Sequence, residues 1–170
     1  KRITADESQT FEIPDGRAHV GCVPGTSFPV HIGIDELVTH NTAILGITGS
    51  GKSYIAFDLI ESISKAGVRV LVLDISGQSK PFLRSLNPFA IPNLTKVGEK
   101  GIEEWLDSTS NLGVYGFLSS ENYTLATANI AKLALRHCYK KAEKKPGMNE
   151  KAALCIVLEE AHALIPEFNQ

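Results

Sequence analysis

Long apolar runs are missing from this 170-residue sequence. None approaches the ~20 residues a membrane-crossing helix needs, so no membrane partner is expected. The first ten residues are polar, which excludes a signal-peptide pattern at this end. Cysteine is scarce: Cys22, Cys138 and Cys155 lie far apart, without metal-ligand spacing. Their odd count argues against a disulfide framework and for a reducing, cytoplasmic setting. Charge of one sign is lacking too. Seventeen basic residues face nineteen acidic ones, a formal net charge of −2, so no global basic field announces nucleic acid. A ring could still line its pore with basic residues while the whole subunit stays acidic. Internal repeats and low-complexity segments are absent.

What is present fits one α/β domain with a sizeable core. The hydrophobic share is 43% and the charged share 21%, ordinary for a globular chain. Residues 1–37 read as a β-rich lead-in, with short β pieces at His19–Val23 and Phe28–Ile32. From Asn41 the pattern changes. Thr42–Ile47 is an apolar run long enough for a buried strand, followed by a glycine loop and a helix over Lys52–Ala66. Ile55, Ala56, Leu59, Ile60 and Ile63 share a face of that helix, and Gly67 closes it. Val68–Leu73 is a second apolar run, ending at Asp74. Continuous apolar strands separated by a helix indicate parallel strands buried on both faces.

Residues 76–100 read as a connecting excursion with a short helix at Pro81–Ser85, and Gly101–Ser108 as another short helix. Leu112–Leu118 is a third strand. A long helix is predicted over Glu121–Lys144, capped by Ser120, packed through Ala128, Ala131, Leu135, Cys138 and Ala142, and ended by Pro146-Gly147. Ala152–Leu158 is a fourth strand that delivers Glu159 and Glu160, with a helix over Ala161–Ile165 behind them.

The glycine loop carries the chemistry. Gly46-Ile47-Thr48-Gly49-Ser50-Gly51-Lys52-Ser53 matches G-x-x-x-x-G-K-[ST] in full, between a predicted strand and a predicted helix. Glycines let the backbone wrap phosphate oxygens with no Cβ in the way. Loop amides and the helix N-terminus supply donors and positive potential. Thr48, Gly49, Ser50, Gly51, Lys52 and Ser53 are therefore the predicted ATP-binding residues, with Tyr54 next to them either near the nucleotide or in ordinary helix packing. Lys52 would reach the β- and γ-phosphates, and the Ser53 hydroxyl would ligate Mg2+.

The second candidate is the acidic end of the last apolar run. In P-loop NTPases such a strand brings its first acid to the magnesium shell, which fits Glu159. Glu160 would then be the general base, or would position the attacking water. The bland alternative is a pair of acids capping the helix that follows. His162 could sense the nucleotide or simply pack.

Asp74-Ile75-Ser76-Gly77 also matches the D-x-x-G of GTPases. No N-K-x-D guanine signature occurs, and only 22 residues separate this aspartate from Lys52, so GTP specificity is discounted. On that reading Asp74 merely ends a strand.

Thr39-His40, the run Ile44–Ser53, Val70–Asp74 with Ser76-Gly77, and Val157-Leu158-Glu159-Glu160-Ala161-His162-Ala163-Leu164-Ile165-Pro166 together resemble the HerA-type ATPases of the HerA–FtsK superfamily. Phe28–Leu37 resembles an extended exit from that family's N-terminal β-barrel, which makes residues 1–37 its tail and 38–170 the N-terminal part of the ATPase domain. The resemblance implies a RecA-like P-loop core, a homo-hexameric ring, and hydrolysis of ATP with Mg2+ coupled to translocation on double-stranded DNA, a helicase-type motor. It also implies a partner, a nuclease or another effector, including antiphage (antiviral) defence systems. By position, Lys52 and Ser53 carry phosphate and magnesium binding and Glu159 and Glu160 the acidic pair. Gln78 and Ser79 depart from the glutamate and aromatic that many relatives place after the glycine equivalent to Gly77. The family continues past the second acidic motif with strands carrying a polar sensor and an arginine that reaches the neighbouring site, so an incomplete core is expected here.

Two rivals stand beside this reading. A monomeric P-loop kinase would want an arginine-rich lid, yet only the scattered Arg69, Arg84 and Arg136 follow the loop. A nucleotide-responsive scaffold would use ATP as glue between subunits. Among smaller features, the basic run Lys140–Lys145 reads as a solvated helix end, Trp105 as a packing residue, and His40 as either a nucleotide neighbour or a turn cap.

Overall fold

The computed structural model of the chain describes residues 13–93, 99–143 and 154–164. It comprises two compact units, residues 1–66 and 67–170. The predicted features at Ala152, Ile165, Pro166, Lys144-Lys145 and Pro146-Gly147, and the Ala142 side chain, lie outside the described residues.

In the first unit, β1 (Arg17–Cys22) pairs antiparallel with β2 (Pro29–Gly33). Val23-Pro24-Gly25-Thr26 turns the chain between them. Pro24 presets φ at the second position, Gly25 takes φ 74° at the third, and Thr26 N donates to the Val23 carbonyl at 3.0 Å. The predicted extended stretch up to Leu37 is corrected: α1 occupies Ile34–Thr39, because Ile34 and Leu37 bury one helical face. His40 caps that helix, its Nδ1 lying 3.1 Å from the Glu36 carbonyl.

Thr42–Ile47 is also a correction. These residues form no strand, and Leu45 is 88% exposed and Ile47 82%. Apolar, β-favouring residues become a strand only when a neighbouring backbone pairs with them. Within their unit the only described ladder is β1–β2. The helix after the glycine loop, α2 (Lys52–Lys65), forms as predicted, burying Phe57, Leu59, Ile60 and Ile63 and leaving Ile55 exposed.

The second unit is built on a four-stranded parallel sheet of β3 (Arg69–Asp74), β4 (Phe89–Ile91), β5 (Leu112–Gly116) and β6 (Leu154–Leu158), in the order β4-β5-β3-β6. Strand β3 lies inside it, and Val70 to Leu73 are all 0% exposed, so both of its faces are buried. Strand β4 falls in the predicted connecting excursion. Three residues between Asn87-Pro88 and Pro92-Asn93 are too few to show a period. The excursion also holds α3 (Ser79–Leu83) and one 3-10 turn at Arg84–Leu86.

Helices α4 (Lys100–Asp107) and α5 (Tyr123–Glu143) supply the core over this sheet. Trp105, Ile102, Leu106, Ile130 and Ala134 pack with Leu71, Leu73, Ile91 and Tyr115. A Cβ on Gly113 would fall 2.5 Å from the Trp105 ring, so only glycine fits in β5 at that point. The α5 packing face differs in part from the predicted one: Cys138 packs against the core as expected, but Ile130 and Ala134 are the buried residues, whereas Ala128 and Leu135 are exposed. The helix offers two apolar stripes, and the one carrying Ile130 and Ala134 turns inward. Its cap is Asn122 rather than Ser120, with Asn122 Oδ1 accepting from Leu125 N at 3.0 Å. The last element is α6 (Ala161–Leu164).

Candidate functional site

The two predicted halves of the site fall in different units, and each has its own local architecture. In the first unit, Gly49 (φ 80°) and Gly51 (φ 88°) take left-handed backbone that L side chains rarely adopt. Gly46 keeps the loop close-packed: a Cβ there would lie 2.6 Å from Ser50 Oγ, which would have to turn away. Ser50 N donates to the Ile47 carbonyl at 3.2 Å, closing the loop on itself. Gly51 then opens α2, whose first turn contains no acidic residue. The first amides of a helix have no intrahelical partner, so this end presents donors and positive potential to an anion.

Lys52 Nζ donates to the Ile47 carbonyl at 2.9 Å, so the loop backbone holds the cation at its own mouth. Thr48, Gly49 and Ser50 are exposed, Gly51, Lys52 and Ser53 half-buried, and Tyr54 is 64% exposed. This arrangement is suited to cradling phosphate oxygens.

The second unit collects carboxylates at the C-terminal end of its sheet, the edge where open α/β sheets bind ligands. Strands β3 and β6 run in register with Leu73 opposite Leu158, and Glu159 N donates to the Leu73 carbonyl at 3.1 Å. That register sets Asp74 beside Glu159. Asp74 is 1% exposed. Its Oδ1 accepts from Ser76 Oγ at 3.0 Å and Gly77 N at 2.7 Å, and its Oδ2 from Ser79 N at 3.0 Å and Ser79 Oγ at 2.5 Å. Asp74 therefore does more than end a strand, because it folds the loop that follows. The departure at Ser79 is part of the same arrangement, since Ser79 is buried and supplies two of those donors. Its sequence signal is an aspartate with Ser and Gly two and three residues on, the pattern of a side chain that closes its own turn.

Glu159 feels this directly. Burial, then the charges of Asp74 and Glu160 and a side-chain hydrogen bond to Asp74, push its carboxyl up to about 7. Its Oε2 is buried with no hydrogen-bond partner among the described residues. A buried, orphaned carboxylate oxygen beside two other carboxyls is an environment that a cation relieves. Among the described residues no three metal-ligating side chains gather. That donor set fits Mg2+, which keeps several waters and takes phosphate oxygens with one or two protein ligands.

Glu160 lies at the corner between β6 and α6 with φ 54°, a strained value for glutamate that costs about 1–3 kcal/mol. Hydrogen bonds hold the corner: Glu159 N to the Leu73 carbonyl before it, and Ala163 N to the Glu160 carbonyl at 2.9 Å after it. The Glu160 carboxyl is 56% exposed, with His162 Nδ1 3.3 Å from its Oε2. Backbone strain of this kind concentrates at functional sites.

Elsewhere the unit reads as structural. Arg69 donates to the carbonyls of Trp105, Ser108 and Ser110 at the end of α4. Asn93, Tyr115 and Glu121 form a polar tie between the ends of β4 and β5 and the start of α5. Burial pushes the Cys155 thiol up, as suits a packing residue. Among the described residues no helix is long and apolar enough to cross a membrane.

No curated protein and no solved structure gives a significant match to the chain. One family model does match, that of the helicase HerA central domain, over residues 18–162. The match covers well over half of the sequence and takes in the glycine loop, the Asp74 loop and the Glu159-Glu160 corner together. The chain belongs to the HerA helicase family, as a central-domain sequence with an α/β, partial P-loop core.

Proposed function

We propose that this chain is the ATP-binding and ATP-hydrolysing part of a HerA-type motor subunit that works as a homo-hexameric ring on double-stranded DNA. The observation that carries the reading is a glycine loop with left-handed Gly49 and Gly51 opening an acid-free helix, in a chain whose sheet ends in a strained Glu160 beside a cation-seeking Glu159. On this reading Thr48 to Ser53 wrap the phosphates, Tyr54 flanks them, and Lys52 exchanges its Ile47 carbonyl for β- and γ-phosphate oxygens. Ser53 and Glu159 would hold Mg2+, which when bound neutralises charge developing on the phosphates. Glu160 accepts the proton of the attacking water. An arginine from a neighbouring subunit would complete the charge stabilisation, an effect on the order of 10³–10⁵ in rate.

A nuclease or antiphage effector as partner, and a cytoplasmic location, are part of the same proposal. They rest on kinship alone. The test is native mass spectrometry of the intact natural protein with and without a non-hydrolysable ATP analogue. A hexamer supports the motor. A monomer under every nucleotide condition overturns the ring and moves a P-loop kinase into first place. A ring whose Glu160→Gln variant still assembles its partner, with no loss of function, supports the scaffold reading instead.

A further inference from the structure

We infer that His162 is a positioning residue for Glu160, holding the carboxylate that activates water; this rests on the role proposed for Glu160 above. A general base must be held in a narrow range of positions, because small displacements of reacting groups cost large factors in rate. The Glu160 backbone is pinned at φ 54° by the bonds on either side of it. Its side chain, however, is more than half exposed and reaches out through three rotatable bonds. One polar side-chain group, His162 Nδ1, stands 3.3 Å from Oε2.

The local fold makes that contact. Left-handed backbone at Glu160 turns the chain sharply into α6, and Ala163 N bonding back to the Glu160 carbonyl closes the turn. Residue 162 is thereby brought back over the side chain of residue 160. A donor at Nδ1 exists both in the Nδ1–H neutral tautomer and in the imidazolium, so the contact does not depend on the charge of the ring. His162 is itself 80% exposed, so it is not a core residue, and an exposed pair contributes little to stability. Long, loosely aligned contacts of this kind are common before substrate binds and tighten afterwards.

The test is steady-state ATP hydrolysis by the intact natural protein and its variants His162→Ala, His162→Asn, His162→Gln, Glu160→Gln and the double variant Glu160→Gln/His162→Ala. The expected result is a kcat loss on the order of 10–100-fold in His162→Ala, with KM for ATP within about twofold and an unchanged melting temperature. Asparagine places its amide nitrogen close to the position of Nδ1 and should restore most of the rate. Glutamine, whose nitrogen sits farther out, should not. In the double variant, removing His162 should cost nothing beyond the loss already caused by Glu160→Gln. Normal kcat in His162→Ala, additive losses in the double variant, or equal rescue by glutamine and asparagine would each overturn the assignment. Normal turnover in Glu160→Gln alone would remove the role of Glu160 and that of His162 with it. An inactive Glu160→Gln beside a fully active His162→Ala would overturn the histidine alone.

Discussion

The glycine loop and the carboxylate edge are opposite solutions to handling charge. Around the loop, recognition is left to backbone: residues 41–50 are exposed, two glycines are left-handed, and among the described residues Lys52 is tied to a carbonyl of its own loop. At the edge, Asp74 is almost wholly buried and saturated with donors, and its charge falls on Glu159. The loop is built to receive negative charge and the edge already holds too much of it. On the function proposed above, phosphate would answer the first and metal the second.

The comparison breaks most visibly at Glu160. Glu160→Gln keeps the shape of the edge and removes the proposed base, so turnover should fall by about 10²–10⁴ with ATP binding retained, as read by phosphate release beside equilibrium binding. Lys52→Ala breaks the other side. Each charge-assisted hydrogen bond to phosphate is worth about 1.5–3 kcal/mol, so affinity for a fluorescent ATP analogue should drop on the order of 10–100-fold.

A milder change sharpens the contrast. Asp74→Asn leaves the volume but turns an acceptor into a donor facing the Ser79 amide and hydroxyl, the partners of Oδ2. Denaturant titration should show a loss of about 1–3 kcal/mol, and the titration of Glu159 should move down as the neighbouring charge disappears. The smallest effect is a pH dependence. Burial and the neighbouring carboxylates push Glu159 up to about 7 in the folded chain, above the ordinary 4.5 of the unfolded one, so the unfolded chain gives up this proton first. The Glu159 contribution to metal-free stability should therefore be greatest below about 4.5, decline as pH rises toward 7, and stay flat above it. Chemical denaturation across that range, with Asp74→Asn as reference, checks the sign.

The same contrast explains what could be read from residues alone. The loop was legible because its chemistry is local: glycine at fixed positions, then Lys52-Ser53, then a helix. The parallel sheet was legible at β3, β5 and β6 because apolar runs recur with helices between them. Strand status at Thr42–Ile47 was not, since it depends on a ladder partner rather than on composition. The work of Asp74 was hidden for a similar reason. Its effect on Glu159 comes from cross-strand register, which joins residues 85 positions apart. The need for glycine at 113 is likewise tertiary, since the Trp105 ring packs where a Cβ would stand.

ATP binding by the loop and turnover by Glu160 can be read in one experiment: Glu160→Gln protein is incubated with Mg2+ and ATP and isolated, and the nucleotide released on acid quench is identified. The expected nucleotide is ATP, held at the loop and unhydrolysed. Recovery of ADP at the wild-type rate would contradict turnover by Glu160.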